Sequence, residues 1–200
     1  MDVGGPQPCF CSVPLGESPP PPPRACFGRD ELVDKLVSFA EILEPIALIG
    51  AGGIGKISIA LAALHHNRIK DRFANRTPLR PHVSSHEIFP VLDNAETILD
   101  PQGTDAQGIY AVVDELSRFK TICHLITSRI TTVPRHCKRP VIPTLSKQAT
   151  CAIFYSVYGE GEPSDTINDL LQRLDFHALS ITLLATVASH NMWYYDKLAK

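Results

Sequence analysis

The sequence lacks any apolar run close to the ~18 residues that a membrane-spanning helix needs. Its first residues include neither a basic stretch nor an apolar one, so no secretory signal peptide is predicted. Lysine and arginine form no dense cluster, and the formal net charge is -2. That balance argues against a broad surface for nucleic acid or for an anionic membrane. These absences predict a cytoplasmic protein without nucleic-acid or membrane partners.

The six cysteines and eight histidines show no spacing typical of a disulfide framework or a zinc site. The one close cysteine pair, Cys9 and Cys11, is C-x-C rather than C-x-x-C. His65 and His66 are adjacent in a predicted helix, where neighbouring side chains diverge by about 100°. Small buried or incidental thiols are the favoured interpretation in a reducing compartment, and no metal site of cysteine and histidine is predicted.

Residues 1–24 are predicted to be a disordered, proline-rich leader. Pro19 to Pro23 is an unbroken proline run, which is typical of an extended polyproline II rod without internal hydrogen bonds. Such a rod is a ligand type for SH3 and WW domains, but a spacer or disordered leader is the favoured interpretation. Folded structure is expected to begin near Cys26.

The rest of the chain alternates helix and strand patterns and then becomes helical throughout. Helices are predicted at 30–43, with Asp30 as N-cap, and at about 56–70 and 104–119. The wholly apolar run 46–49 predicts a strand buried on both faces, and further strands are predicted at 88–93, 121–126 and, briefly, 140–143. Three helices follow, at about 147–158, 164–174 and 177–190. This order predicts a parallel α/β sheet with flanking helices over 25–145 and a small, truncated helical subdomain over 146–200.

A glycine-rich loop lies between the first predicted strand and the second predicted helix. It matches G-x-x-x-x-G-K and consists of Gly50, Ala51, Gly52, Gly53, Ile54, Gly55 and Lys56. Glycines let the backbone N–H groups point at phosphate oxygens, and the following helix adds the positive end of its dipole. The lysine places a positive charge on the outer phosphates. The loop therefore predicts a P-loop (Walker A) for a nucleoside di- or triphosphate.

The position after the lysine departs from the P-loop pattern. A hydroxyl is expected there to ligate Mg²⁺, but the residue is Ile57. Ser58 cannot replace it, because it is rotated about 100° around the helix, although it could donate to an inner phosphate. The loop is expected to bind phosphate with weak or absent Mg²⁺.

Two acids and an arginine follow the next two predicted strands. Asp93 fits the Walker B acid that holds Mg²⁺ directly or through water, and Glu96 could polarise an attacking water. Pro90 removes a ladder donor, so this strand is expected to be poor. Arg129 lies where its guanidinium could reach a terminal phosphate, although an ordinary surface arginine fits the spacing equally well. The candidate catalytic residues are therefore Asp93, Glu96 and Arg129, with Asp93 as the metal ligand.

Over residues 24–200 the chain resembles the NB-ARC/NACHT-like signalling NTPases of the STAND class, most closely the NB-ARC-type proteins abundant in basidiomycete fungi. Besides the glycine loop, the resemblance is carried by four segments in the family's order: Phe27-Gly28-Arg29-Asp30, Val91-Leu92-Asp93-Asn94-Ala95-Glu96, Ile126-Thr127-Ser128-Arg129 and His177-Ala178-Leu179-Ser180. The resemblance implies that ATP or ADP is the ligand, and that homotypic or paralogous STAND proteins are candidate partners.

The resemblance also implies roles for individual residues. Gly28 and Arg29 would border the adenine, Arg129 would sense the γ-phosphate, and His177 and Leu179 would close over the nucleotide. Ala178 stands where the family typically has proline. The expected nucleotide-binding residues are Gly28, Arg29, Gly50, Gly52, Gly53, Ile54, Gly55, Lys56, Ile57, Ser58, His177 and Leu179.

The chain is short between Lys56 and Asp93. Residues 71–87 cannot hold another strand and its crossover helix, because a parallel crossover alone takes about a dozen residues. Family members usually carry one more strand–helix unit here, with its strand at the sheet edge. Its loss would leave the central strands paired and would bare a new edge.

Three functions are compatible with these features. The favoured one is an adenine-nucleotide-binding domain, biased towards ADP, that acts as a weakly hydrolysing or inactive signalling switch. The second is an active Mg²⁺-dependent ATPase, against which Ile57 argues. The third is a decayed P-loop scaffold that acts as an interaction module. Since no winged helix or repeat sensor follows, the chain is expected to be a fragment or a shortened paralogue.

Overall fold

The computed structural model describes residues 20–23, 26–73, 87–99, 106–159 and 165–190. Most of the predicted leader and the predicted chain beyond 190 therefore lie outside the described residues. Within the described ranges, no helix is both long and apolar enough to cross a membrane.

Eight helices and three strands make up the described part of the chain. In order they are α1 (Asp30–Glu41), β1 (Ile46–Ile49), α2 (Lys56–Leu64), α3 (Asn67–Phe73), β2 (Val91–Leu92), α4 (Glu96–Leu99), α5 (Ala106–Leu116), β3 (Leu125–Ser128), α6 (Lys147–Tyr158), α7 (Asp165–Arg173) and α8 (Ala178–His190).

The three strands form a parallel sheet in the order β1-β3-β2. Leu125 of β3 pairs with Ile46 of β1 on one side and with Val91 of β2 on the other. The predicted parallel α/β sheet with flanking helices is confirmed. Because the strands are parallel, the residues that follow β1, β2 and β3 meet at one edge of the sheet.

Side chains alternate between the two faces of this sheet, and helices cover both faces. Ile46, Leu48 and Leu125 belong to one hydrophobic cluster with α1, α2 and α3. Ala47 and Ile126 belong to a second cluster on the opposite face with residues of α4 and α5. A third cluster is drawn from the helical part, with these fully buried members: Phe154, Ile167, Leu171, Ile181, Ala185 and Ala188.

The strands differ from their predicted extents. β2 has only two residues, preceded by an isolated bridge between Ile88 and Ile122, because Pro90 has no N–H for the ladder. The regular part of β3 begins at Leu125 rather than at residue 121. The predicted fourth strand at 140–143 is wrong, since two of its four residues are prolines and Val141 is 84% exposed. A single bridge from Lys138 to Ile46 takes its place.

The helices differ mainly at their ends. Arg29, not Asp30, occupies the N-cap position of α1, and Asp30 is the first helical residue, where its charge favours the helix dipole. The helix ends at Glu41, two residues before the predicted end. The predicted helix 56–70 is two helices, α2 and α3, separated at His65 and His66. α4 was not predicted.

His124 is a buried neutral histidine just before β3. It is 1% exposed, and its Nε2 lies 3.4 Å from Ser117 Oγ and 3.4 Å from Cys137 Sγ. Its Nδ1 has no hydrogen-bond partner among the described residues. Burial lowers the pKa of His124 from 6.5 to about 4, because the charged imidazolium is poorly solvated there.

We expect this histidine to make stability depend on pH between about 6.5 and about 4. In that window the unfolded chain binds the proton and the folded chain does not, so stability falls as the pH falls, by up to about 1.4 kcal/mol per pH unit. Urea unfolding at several pH values measures this slope. His124→Gln should flatten it, whereas His136→Gln, which changes an exposed histidine, should not. An unchanged slope in His124→Gln would contradict the assignment.

Candidate functional site

The glycine loop and the segments after β2 and β3 are tied together at the carboxyl edge of the sheet. The backbone N–H of Gly50 donates to Ser128 O at 3.1 Å, and that of Ala95 donates to Thr127 O at 2.9 Å. The last two residues of β3 therefore hold the base of the loop on one side and the chain after Asp93 on the other.

Lys56 begins α2 and folds back over the glycine loop. Its Nζ donates to Gly50 O at 2.7 Å and to Ala51 O at 2.9 Å. Burial lowers the pKa of Lys56; the charge of Glu96 opposes this shift, that of Arg129 adds to it and that of Asp93 opposes it. The ammonium is thus satisfied by loop carbonyls, which phosphate oxygens would have to replace.

Thr127 fixes the position of Asp93. Its hydroxyl donates to Asp93 Oδ1 and accepts from the backbone N–H of Asn94, 3.0 Å away. Asn94 adopts the left-handed φ of 54°, a conformation that asparagine tolerates better than most residues. The central strand therefore orients the candidate Walker B acid through a side chain as well as through the backbone.

Glu96 and Arg129, which the sequence analysis assigned to separate tasks, are paired with each other. Arg129 donates from Nε to Glu96 Oε1 and from its backbone N–H to Glu96 Oε2, the latter at 3.2 Å. Burial raises the pKa of the Glu96 carboxyl, but these hydrogen bonds bring it below its ordinary value. Arg129 remains 59% exposed while Glu96 is 10% exposed. The carboxylate is the anchored partner and the arginine is the accessible one.

The start of α8 covers the glycine loop. His177 Nε2 donates to Gly52 O at 3.0 Å, and the backbone N–H of Leu179 donates to Gly53 O at 3.1 Å. Gly53 has a φ of +75°, and a Cβ built on it would lie 2.7 Å from both His177 Cε1 and Leu179 Cβ. Only glycine fits this conformation and this close approach together.

Two cavities meet at the first turn of α2. We call the first the loop cavity: it measures about 520 Å³, and its lining includes part of the glycine loop (Gly52, Gly53, Gly55 and Lys56), Asp93, Glu96, Thr127, Arg129 and the start of α8. We call the second the apolar cavity: it measures about 620 Å³ and lies on the side of Phe27 and Arg29. Both are within the usual size range of ligand pockets. Their shared lining residues are Gly55, Ser58, Ala178 and Thr182.

Gly28, Gly50 and His177 line neither of these cavities, and the other predicted site residues line at least one of them. Ile54 lies in the apolar cavity, and Ile57, 40% exposed, lies in the loop cavity. Gly28 instead faces α6, where an added Cβ would lie 2.7 Å from Ala149 Cβ. Arg29 is 5% exposed, and its guanidinium donates to Pro143 O.

Several residues of the site have no role that a sequence pattern predicts. Thr127 belongs to the segment Ile126-Thr127-Ser128-Arg129, and a hydroxyl at the end of a central strand is the signal that could identify it. Pro23, Leu145 and Thr182 come from distant parts of the chain and line a cavity, and no local pattern marks them.

The loop cavity has space for a phosphate group but lacks a hydroxyl at position 57, where a P-loop places a Mg²⁺ ligand. A side chain on Gly55 would meet nothing within 4 Å, so the space beside the first turn of α2 is open. Ile57 supplies no oxygen, and Asp93 Oδ1 is already engaged by Thr127. Among the described residues, no group of three or more His, Cys, Asp or Glu side chains could hold a metal ion.

No protein-family model matches this sequence, and no curated protein matches it either. Among solved structures, C. elegans PCH-2 matches with a TM-score of 0.55 and 14% identity over 84% of this chain and 64% of that chain. A katanin structure, described for its self-assembly, matches with a TM-score of 0.55 and 17% identity over 86% of this chain and 72% of that chain. Both neighbours have the AAA+ P-loop NTPase fold.

This chain has a P-loop NTPase fold. At these identities the likeness concerns the fold alone, and the chain spans 64% of the PCH-2 chain. The glycine loop, the acid after β2 and the arginine after β3 thus lie in a fold of the class that their sequence pattern predicts.

We expect Gly53→Ala to lower the free energy of unfolding by about 1–3 kcal/mol, because it adds left-handed strain and pushes α8 off the loop. Gly52→Ala is the matched control, since its Cβ would lie 3.9 Å from Arg129 Cδ and its φ is not left-handed. Urea unfolding of both variants measures the difference. Equal stabilities of the two variants would show that α8 does not pack on the loop as described.

Proposed function

We propose that this chain binds ADP or ATP, with the phosphates in the loop cavity and the nucleoside in the apolar cavity. The observation that carries the proposal is the junction of the two cavities at Gly55 and Ser58, beside Lys56. A ligand that crosses this junction places anionic groups at the N-terminus of α2 and an apolar ring system against Phe27 and Ile54. A nucleotide has this distribution of charge and apolar surface.

The proposal assigns residues 25–145 to the nucleotide-binding unit and 146–200 to a helical unit that closes it. Support comes from the separate hydrophobic cluster of α6–α8 and from the hydrogen bonds of His177 and Leu179 to the loop carbonyls. A ligand under α8 has to contact both units. We therefore infer a STAND-type switch, in which nucleotide binding changes how the helical unit sits on the loop.

A bias towards ADP is supported by the Glu96–Arg129 ion pair. The Glu96 carboxylate beside Arg129 would repel a γ-phosphate that approaches the exposed guanidinium, whereas a diphosphate is one phosphate shorter and leaves the pair intact. Phosphate release should be slow, because Glu96 is paired with Arg129 and Ile57 supplies no side-chain oxygen for Mg²⁺. A Mg²⁺-dependent ATPase is the second candidate, since Asp93 still lines the cavity. A homotypic partner is a further candidate, since β2 pairs only with β3 among the described residues.

The direct test is calorimetric titration of the chain with ADP and with ATP, with and without Mg²⁺. We expect Lys56→Ala to lower the affinity for both nucleotides by about 10- to 100-fold, the loss typical of a hydrogen bond from a charged group. Lys120→Ala is the control, because Lys120 is exposed and lines neither cavity. Unchanged affinity in Lys56→Ala would refute the P-loop assignment.

We expect Arg129→Ala to lower the affinity for ATP about tenfold more than that for ADP, because only ATP has the phosphate that the guanidinium would reach. Glu96→Gln keeps the shape of the side chain but removes its charge, so it should release Arg129 and strengthen ATP relative to ADP. Calorimetry with both nucleotides measures the ratio in each variant. Equal losses for ATP and ADP in Arg129→Ala would exclude Arg129 from sensing the γ-phosphate.

We expect Ile57→Thr to strengthen the Mg²⁺ dependence of nucleotide binding and of phosphate release, because it restores an oxygen beside the β- and γ-phosphates. Ile57→Val is the matched control, since valine has the shape of threonine without the hydroxyl. Phosphate release is measured for both variants and for the unchanged chain over a Mg²⁺ series. Rapid turnover by the unchanged chain would favour the ATPase candidate over the switch.

A further inference from the structure

The apolar cavity is lined at one point by Pro23, the last residue of the proline segment 20–23 that precedes α1. Pro23 is half-buried, whereas Pro20, Pro21 and Pro22 are exposed. The cavity wall formed by this segment and its neighbours includes Pro23, Phe27, Ile54, Leu145, Ile153 and Val157. The proline run, for which a spacer or disordered leader is the interpretation that the sequence favours, therefore contributes Pro23 to a cavity.

Two contacts hold this part of the chain in place. Pro20 O lies 2.7 Å from His65 Nε2, at the end of α2. Because a carbonyl oxygen only accepts, the histidine must carry its proton on Nε2 and donate it. On the other side of Pro23, Cys26 is partly buried against the cluster of α1, β1 and α2. Pro23 thus lies between an anchored carbonyl and an anchored side chain.

Proline suits the wall of an apolar cavity for two physical reasons. It has no backbone N–H, so it presents no unsatisfied donor to an apolar ligand. Consecutive prolines are also already extended and stiff, so holding them against a ligand costs less conformational entropy than holding an ordinary loop. A flat heteroaromatic ring system fits against such a surface, because it offers an apolar face and needs no partner there.

We propose that Pro23 contacts the nucleoside part of the bound nucleotide and that His65 is the residue that positions it. The inference rests on the proposed function, because the apolar cavity must hold the base and sugar. It places Pro23 in the nucleoside site, and it assigns to the His65–Pro20 hydrogen bond the role of holding the proline segment in position. Contact with Pro23 should contribute to nucleoside affinity and not to phosphate affinity.

The test compares ADP with inorganic pyrophosphate, which shares the phosphates but has no nucleoside. In calorimetric titrations of the full chain, Pro23→Gly should lower the affinity for ADP about three- to tenfold, in line with the loss of one small apolar contact, and leave that for pyrophosphate unchanged. Pro21→Gly is the matched control, since it removes a proline from the same run but from outside the cavity. Lys56→Ala should lower the affinity for both ADP and pyrophosphate.

His65 is tested with the same ratio of ADP to pyrophosphate affinity. His65→Phe removes the donor and should lower the ratio, whereas His65→Gln can still donate and should largely restore it. The inference is overturned if Pro23→Gly weakens both ligands equally, if Pro21→Gly has the same effect, or if the unchanged chain binds ADP no better than pyrophosphate. If the unchanged chain binds neither ligand, the proposed function fails and this inference fails with it.

Discussion

β3 pairs in parallel with β1 on one side and with β2 on the other, and all four of its residues are buried. This register fixes the distance between the glycine loop, the acid after β2 and the arginine after β3. The bonds Gly50 N to Ser128 O and Ala95 N to Thr127 O extend the pairing beyond the strands. A one-residue shift of β3 would turn Thr127 to the opposite face and leave Asp93 without its hydroxyl partner.

The polar and charged side chains at this edge form hydrogen bonds with neighbouring groups of the protein. Lys56 donates to loop carbonyls, Arg129 to Glu96, and Thr127 to Asp93. An anion that enters would compete with the loop carbonyls for Lys56, whereas the exposed Arg129 could add a contact while it keeps Glu96. Competition at Lys56 lowers the net gain from a phosphate contact there, but it also couples ligand binding to the conformation of the glycine loop. Altering the glycine loop disturbs the carbonyls of Gly52 and Gly53, which hold the start of α8. Such coupling is the physical requirement for a switch.

The sequence predicts the parts of this arrangement that depend on local pattern. β1 was predicted at 46–49 because the run is wholly apolar and bounded by Pro45 and Gly50, and the loop was recognisable from its spacing. The Glu96–Arg129 pair was not predictable, because it depends on the register between two strands far apart in sequence. The false strand at 140–143 arose because apolar residues between prolines resemble a strand, although the missing N–H groups prevent a ladder. The composition of the proline run indicates only an extended segment, so the place of Pro23 in the cavity lining could not be predicted.

Ile57 places an apolar side chain at a position where Mg²⁺ binding would need an oxygen ligand. It lines the loop cavity beside Lys56, and at 40% exposure it leaves apolar surface where a metal-bound phosphate would need oxygen. Leu179, from α8, lines the same cavity and is 48% exposed. Apolar surface from both helices thus faces the space above the glycine loop. Bringing these two surfaces together removes them from water, so closure of α8 gains a contribution that does not depend on a metal. Under the proposed function, this lining would favour retaining a bound nucleotide over hydrolysing it.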